Sequence, residues 1–267
     1  MCGGGGWDAG EATDDTQMAV HVAESLLEHG GLDLPDVFTR FQRWAADDPK
    51  DIGLQTRDVL IRDLPWDQAA TAHYRAGHRA AGNGSLMRAT PSAVYFAAHG
   101  RQATMDAARR ISALTHGDPA AGEGTAIFHD LVRLALSSAD PLGELSQTLA
   151  AVHPGHRERY ATILAPDWHP GQATEANGAV WPCLGSAVWA LRTTRSYEDA
   201  IRTAIDLGGD TDTVAAVTGG LAGAFYGLTA IPARWTEPLH VPLPGAGGRT
   251  LHLPHLLDLA HALVERH

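Results

Sequence analysis

Apolar residues in this chain recur close to every 3.6 positions, and runs in which Val, Ile or Thr alternate with polar residues are rare. Such a chain covers its apolar stripes by packing helix on helix, so the predicted fold class is all-α, with no strand strong enough to propose a sheet. Ala19, Val22, Ala23, Leu26 and Leu27 form one face of a first helix that stops at Gly30-Gly31. Pro35 opens a second through Phe38, Phe41 and Trp44, which ends before Asp47-Asp48-Pro49. The spacing predicts further helices over 91–99, 104–114, 124–136, 142–152, 178–191, 197–205, 213–227 and 254–265. Stretches rich in Gly, Pro and His, at 64–84, 152–171 and 232–249, read as loops. No repeat and no composition shift divides the chain, so 1–267 reads as one helical domain.

Charge and cysteine content narrow the function classes. Twenty Lys and Arg against 31 Asp and Glu give a net charge of −11, a sign that repels nucleic-acid backbones and anionic membrane surfaces. With 44% hydrophobic and 19% charged residues the chain is globular, not disordered. Cys2 and Cys183 alone cannot build a disulfide framework or a four-cysteine metal site. No basic region followed by an apolar run opens the chain, so a cytoplasmic location is expected. Residues 213–233 carry no charge, and Gly219, Gly223 and Gly227 are spaced as in membrane helices. Gly, Thr and Ala nevertheless dominate where lipid would favour Leu and Ile, so a buried helix with close backbone neighbours is expected.

Two short acidic clusters share a grammar: Thr13-Asp14-Asp15-Thr16 before the first helix and Asp210-Thr211-Asp212-Thr213 before the glycine-spaced one. Either could be a helix cap, since Asp and Thr are favoured there. One cap needs one acid, however, and adjacent carboxylates repel, so a cation between them is the other reading. Mg2+ or Mn2+ takes oxygen ligands from a few carboxylates and hydroxyls, and Gly208-Gly209 would let the backbone approach it. Gly82-Asn83-Gly84-Ser85, followed by Leu86-Met87-Arg88, is either an ordinary turn or a loop whose N–H groups cradle an anion. Asp51, in Asp51-Ile52-Gly53 with Thr56 beyond, is a cap or a substrate contact. His116 is one of fifteen histidines, and Cys183 has no evident base and reads as a buried, inert thiol. The seven tryptophans are core or loop anchors by default, although one beside a glycine loop could stack on a nucleobase.

Together these segments resemble the ADP-ribosylglycohydrolase family. Four motifs stand in family order: Ala12-Thr13-Asp14-Asp15-Thr16-Gln17-Met18, Asp51-Ile52-Gly53-Leu54-Gln55-Thr56, Gly82-Asn83-Gly84-Ser85-Leu86-Met87-Arg88 and Leu207-Gly208-Gly209-Asp210-Thr211-Asp212-Thr213. Thr115-His116 and Ile231-Pro232-Ala233-Arg234-Trp235 also look like family positions. The resemblance implies a compact orthogonal helical bundle with two divalent cations, Mg2+ or Mn2+, in a cleft for ADP-ribose. Thr13, Asp14 and Asp15 would bind metal from one side and Asp210, Asp212 and Thr213 from the other. Gly82, Asn83, Gly84 and Ser85 would lie against the phosphates with His116 nearby, and Asp51 would reach the distal ribose.

The implied reaction is metal-dependent hydrolysis of an ADP-ribosyl bond in a protein or small molecule, with Asp51, Asp15 and Asp212 as catalytic acids and the protein a monomer. Its transition state has oxocarbenium character, which carboxylates stabilise. Family members usually open with Gly-Asp-Ala-x-Gly and a following Glu. The twelve residues before Thr13 contain neither, and Glu11 is too close to Thr13 to be that Glu. Against the family pattern an N-terminal helix is missing, either because the sequence starts late or because the protein is a shortened homologue; the second reading gives the alternative of a catalytically weak ADP-ribose-binding or structural protein.

Overall fold

In the computed structural model, residues 3–78, 81–138 and 140–265 are described; Cys2 lies outside them. Helix α1 (Asp14–His29) ends where Gly30 turns left-handed, at φ 63°, and bonds back to the Leu26 carbonyl. Helix α2 (Leu34–Ala46) starts from an Asp33 cap and buries Phe38, Phe41 and Trp44, the face expected from their spacing, together with Val37. The Trp44 Nε1–H donates to Gln17 Oε1 at 2.8 Å, which ties α2 to α1 inside the core.

Two short helices follow, α3 (Leu54–Leu60) and α4 (Ala69–Arg75); α4 lies in a stretch expected to be loop. Each is about two turns long, too short to display a helical period. Helix α5 (Thr90–Phe96) runs on as a 3-10 turn to His99, and α6 (Gly100–Ser112) starts four residues before its expected boundary. Helix α7 (Pro119–Ser137) starts five residues early, because Asp118 caps it and Pro119 fits its first position.

After α8 (Leu145–Ala150) comes α9 (Pro154–Ile163), also in a stretch expected to be loop, with Pro154 at its first position and His153 as its cap. Helices α10 (Val180–Thr193), α11 (Tyr197–Asp206) and α12 (Thr211–Tyr226) match expectation within two residues. A short α13 (Ala233–Thr236) leads to one correction. Strands β1 (His240–Pro242) and β2 (Thr250–His252) pair antiparallel inside a stretch read as loop, with Val241 opposite Leu251. Three residues per strand give no alternation to read, and the hairpin owes its place to a small cluster with Ala12 and Val20. Helix α14 (Leu253–Glu265) follows. With helices throughout and one small hairpin, the fold is all-α.

Helix α7 is buried on nearly every side and packs against α5, α6, α8, α9, α10 and α12. Phe128 and Leu131 on α7, Leu184 on α10 and Leu221 on α12 belong to its core, while α1 and α2 build a second core with Leu26, Phe38, Phe41 and Ile111. The glycine-spaced helix is approached most closely at Gly220, where a Cβ would stand 2.3 Å from Thr90 Oγ1, and less closely at Gly219, 3.2 Å from the Tyr197 hydroxyl; these neighbours are side chains and not the expected backbone. Gly227 instead ends α12 at φ 79°. No helix of the described residues is long and apolar enough to cross a membrane.

Candidate active site

Capping does not account for the acidic clusters. Asp33, Asp118 and Ser196 each accept a backbone N–H at the start of their helices. Thr13 and Asp210, in the same position on α1 and α12, make no side-chain cap bond. The Thr13 hydroxyl donates instead to Asp15 Oδ2 at 2.8 Å. The N-termini of α1 and α12 face each other, and oxygens of Asp14, Asp15 and Asp212 lie within 4.8 Å of one another.

Asp14 and Asp15 are buried and Asp212 is exposed. Burial first, then the Asp15, Asp51 and Asp212 charges, pushes the Asp14 carboxyl up to about 8. Burial and the Asp212 charge push Asp15 up to about 7, against the Thr13 hydroxyl, which acts the other way. Asp212, although exposed as a residue, is raised by desolvation of its carboxyl among the neighbouring acids and by Asp210 beside it. Asp15 Oδ1 is buried and has no hydrogen-bond partner among the described residues. Three convergent carboxylates, one with an orphaned buried oxygen, form a donor set that fits a hard cation.

The glycine loop is anchored against the start of α10. Asn83 N–H donates to the Gly178 carbonyl at 3.0 Å, and Val180 N–H donates to the Ala81 carbonyl at 3.0 Å. Asn83 Nδ2 donates to the Asn177 carbonyl at 3.1 Å and to Asp210 Oδ2 at 2.8 Å, so the loop holds the second acidic cluster directly. Asn177 completes the clamp: its Oδ1 accepts the Asp210 N–H at 3.0 Å and its Nδ2 donates to the Gly208 carbonyl at 2.8 Å. Gly209 is required there, since it sits at φ 71° and a Cβ would meet Asn177 Oδ1 at 2.4 Å.

A cavity of about 310 Å3 is lined by Asp14, Asp51, Gly82, Asn83, Gly84, His116, Asp210, Asp212 and Thr213, with Gln55, Thr56 and Met87. Thr13 and Asp15 are not part of this lining; Asp15 borders another cavity, of about 350 Å3, with Thr16, Met87 and Gly220. Ser85 departs from expectation: it is fully buried, accepts from Ser112 Oγ at 2.9 Å and pairs with Thr125 Oγ1 at 3.1 Å, so its side chain belongs to the core. A second cavity of about 440 Å3 abuts the first, sharing Gln55, Gly82 and Gly178, and ends at Trp181. This is the tryptophan beside the glycine loop, and the Arg159 guanidinium covers its ring at 3.5 Å. Glu11 is turned to Lys50, 2.6 Å away, apart from these carboxylates. Cys183 is buried, which pushes its thiol well above the ordinary range, as an inert cysteine requires.

A sequence profile of the ADP-ribosylglycohydrolase family matches residues 1–267. The chain belongs to that family. Among its relatives, the ADP-ribosylarginine hydrolase Tri1 of Pseudomonas putida is 32% identical over 248 residues, covering 89% of this chain and 65% of the relative. The chain thus spans just under two thirds of that protein's length. The ADP-ribosyl-[dinitrogen reductase] glycohydrolase of Rhodospirillum rubrum is 28% identical, with 88% and 77% covered. Human ADP-ribosylhydrolase ARH3 is 26% identical, with 84% and 73% covered. A solved structure titled ADP-ribosylglycohydrolase-related protein complex superposes with TM-score 0.77 at 36% identity, covering all of this chain and 86% of that one.

Within this site, sequence reasoning did not single out Asn177 or Gln55. Asn177-Gly178 reads as an ordinary turn, and the clamp it makes on Gly208 and Asp210 joins residues more than thirty positions apart.

Proposed function

We propose that this chain hydrolyses the glycosidic bond between ADP-ribose and an acceptor, a modified protein or a small molecule. One observation carries the reading: Asp14 and Asp212, two of the three convergent carboxylates, line one cavity together with the glycine loop and His116, and a second cavity adjoins it at the loop. Two abutting volumes of about 310 and 440 Å3 suit a ligand with a ribose at one end and a nucleotide at the other. The comparisons do not favour the alternative of a binding-only homologue.

In this reading Asp14, Asp15 and Asp212, with Thr13, Asp210 and Thr213 around them, hold divalent cations, two Mg2+ or Mn2+ in the fullest form. A cation there neutralises the carboxylates and supplies a Lewis acid for the ribose hydroxyls. Asp51, at the open end, stabilises positive charge as the bond from the anomeric carbon to the acceptor lengthens. Water adds to that carbon, its proton passes to a carboxylate, and the acceptor leaves with a proton. The N–H groups of Gly82 and Gly84 and the His116 ring bind the phosphates, while Asn83, whose N–H is held by the Gly178 carbonyl, fixes the loop. Residues 1–267 act here as one unit, a reading supported by the packing of α7 against helices from both halves of the chain.

The test is release of ADP-ribose from an ADP-ribosylated arginine peptide, and from a serine-linked one, with Mg2+ or Mn2+ present. Activity lost in Asp212→Asn supports the proposal. No release from either substrate at any metal concentration refutes it.

A further inference from the structure

Arg88 is fully buried, and no carboxylate pairs with it among the described residues. Its guanidinium lies over the Phe41 ring at 4.5 Å, and Nη2 donates to Thr115 Oγ1 at 2.8 Å and reaches the Ile111 carbonyl at 3.4 Å. An unpaired interior cation is a costly feature, and its contacts show what it does for its neighbours.

Thr115 has one hydroxyl hydrogen to place. A threonine next to a helix commonly donates to the carbonyl four residues back, which for Thr115 is that of Ile111. Leu114 N–H at 3.3 Å and Arg88 at 3.4 Å already occupy that carbonyl's two lone pairs, and since a guanidinium only donates, it also fixes Thr115 Oγ1 as its acceptor. The hydroxyl hydrogen then goes to His116 Nδ1, 2.8 Å away. His116 is neutral, because burial, with Arg88 and His73, holds its proton affinity well below the ordinary range. A neutral ring that accepts at Nδ1 carries its own hydrogen on Nε2. That edge faces the glycine loop: a Cβ on Gly82 would lie 3.3 Å from Nε2 and one on Gly84 3.0 Å from Cε1. Nε2 makes no hydrogen bond among the described residues, and His116 lines the cavity.

We propose that Arg88 is a positioning residue, which through Thr115 fixes His116 as the Nε2–H tautomer and so presents a hydrogen-bond donor to an anionic ligand at the glycine loop. The identity of that ligand, the diphosphate of ADP-ribose, rests on the function proposed above; the tautomer does not. A neutral histidine without such partners could present either a donor or a lone pair at Nε2, and only the donor suits an anion; the relay decides which.

The experiment uses the full chain labelled with 15N-histidine, with the His116 signals assigned by their loss in His116→Asn. Long-range 1H–15N correlation reads the tautomer without ligand or metal. The expected result is hydrogen on Nε2 in the wild type and in Thr115→Ser, and a mixture of tautomers in Thr115→Val and Arg88→Leu. Calorimetry with ADP-ribose and Mg2+ is expected to show affinity about tenfold weaker in Thr115→Val and restored in Thr115→Ser. Hydrogen on Nδ1 in the wild type overturns the proposal, as does an unchanged tautomer in Thr115→Val variants that keep the wild-type circular dichroism. Unchanged affinity in a Thr115→Val protein that has lost the tautomer overturns the positioning role. A wild type with the Nε2 tautomer that binds no ADP-ribose overturns the reading of the site itself, a result distinct from failure of the relay.

Discussion

The carboxylates at the mouth of α1 should make the cation-free protein less stable than it could be, and Asp15→Asn exposes that cost. The Asp15 carboxyl is raised from an ordinary 3.8 to about 7 in the folded protein, so the fold binds that proton more tightly than the unfolded chain does. A group raised in this way costs nothing while protonated, and the cost grows as pH rises from 3.8 to the folded value. At 1.36 kcal/mol for each tenfold change in proton affinity, the full cost at pH 8 has an upper bound of about 4 kcal/mol. Asparagine has the same shape, carries no charge and can still accept from Thr13. Urea denaturation in EDTA at pH 8 should therefore show Asp15→Asn more stable than the wild type, by up to about 4 kcal/mol. The gap should close toward pH 4. With Mg2+ or Mn2+ added, the order should reverse, because only the wild type keeps the complete donor set. A variant less stable than the wild type in EDTA at pH 8 would refute the account of these carboxylates as a frustrated, cation-seeking cluster.

Other perturbations follow from single contacts. Gly209→Ala places a Cβ against Asn177 Oδ1 at a positive φ, so it should cost about 2 kcal/mol in denaturant melts and weaken ADP-ribose binding with it. Trp44→Phe leaves Gln17 Oε1 buried without its donor and should cost about 2 kcal/mol, seen as a lower urea midpoint at unchanged m-value. On the acid side, His21 and His129 are lowered to about 4 and about 3, chiefly by burial. The unfolded chain then binds those protons first, so stability falls as pH drops from 6.5 toward 4, against the trend from Asp15. His21→Leu isolates its share, about 3 kcal/mol at pH 4, from the difference between the pH profiles of variant and wild type.

The helices that can be read from the sequence are those long enough to repeat a face, such as α2 with Val37, Phe38, Phe41 and Trp44, or those with strong end signals, such as α1 at Gly30. Helices α3 and α4 have only seven residues each, and the hairpin has three per strand, so their existence is decided by tertiary contact and not by pattern. The same division holds in the site. Asp14, Asp15, Asp210 and Asp212 are legible because adjacent acids are costly without a purpose. Asn177 and Arg88 are not, since an Asn-Gly turn and an arginine after a glycine loop look ordinary until their partners at Asp210 and Thr115 are in place. Ser85 shows the converse error: it sits inside a motif, yet its hydroxyl serves the core.

The bond from Asn83 to Asp210 joins loops 127 positions apart, and Asp15 meets Asp212 across a still longer span of chain. Such contacts form late, after the entropy of closing a long loop has been spent, and here they also press like charges together. Folding of this protein should therefore end with the docking of α12 onto α1. The last step would be slowed by electrostatic repulsion and quickened by any divalent cation in the medium. A growing chain on the ribosome would present Asp14 and Asp15 long before their counterparts exist, so the site matures only when α12 has been made and seated.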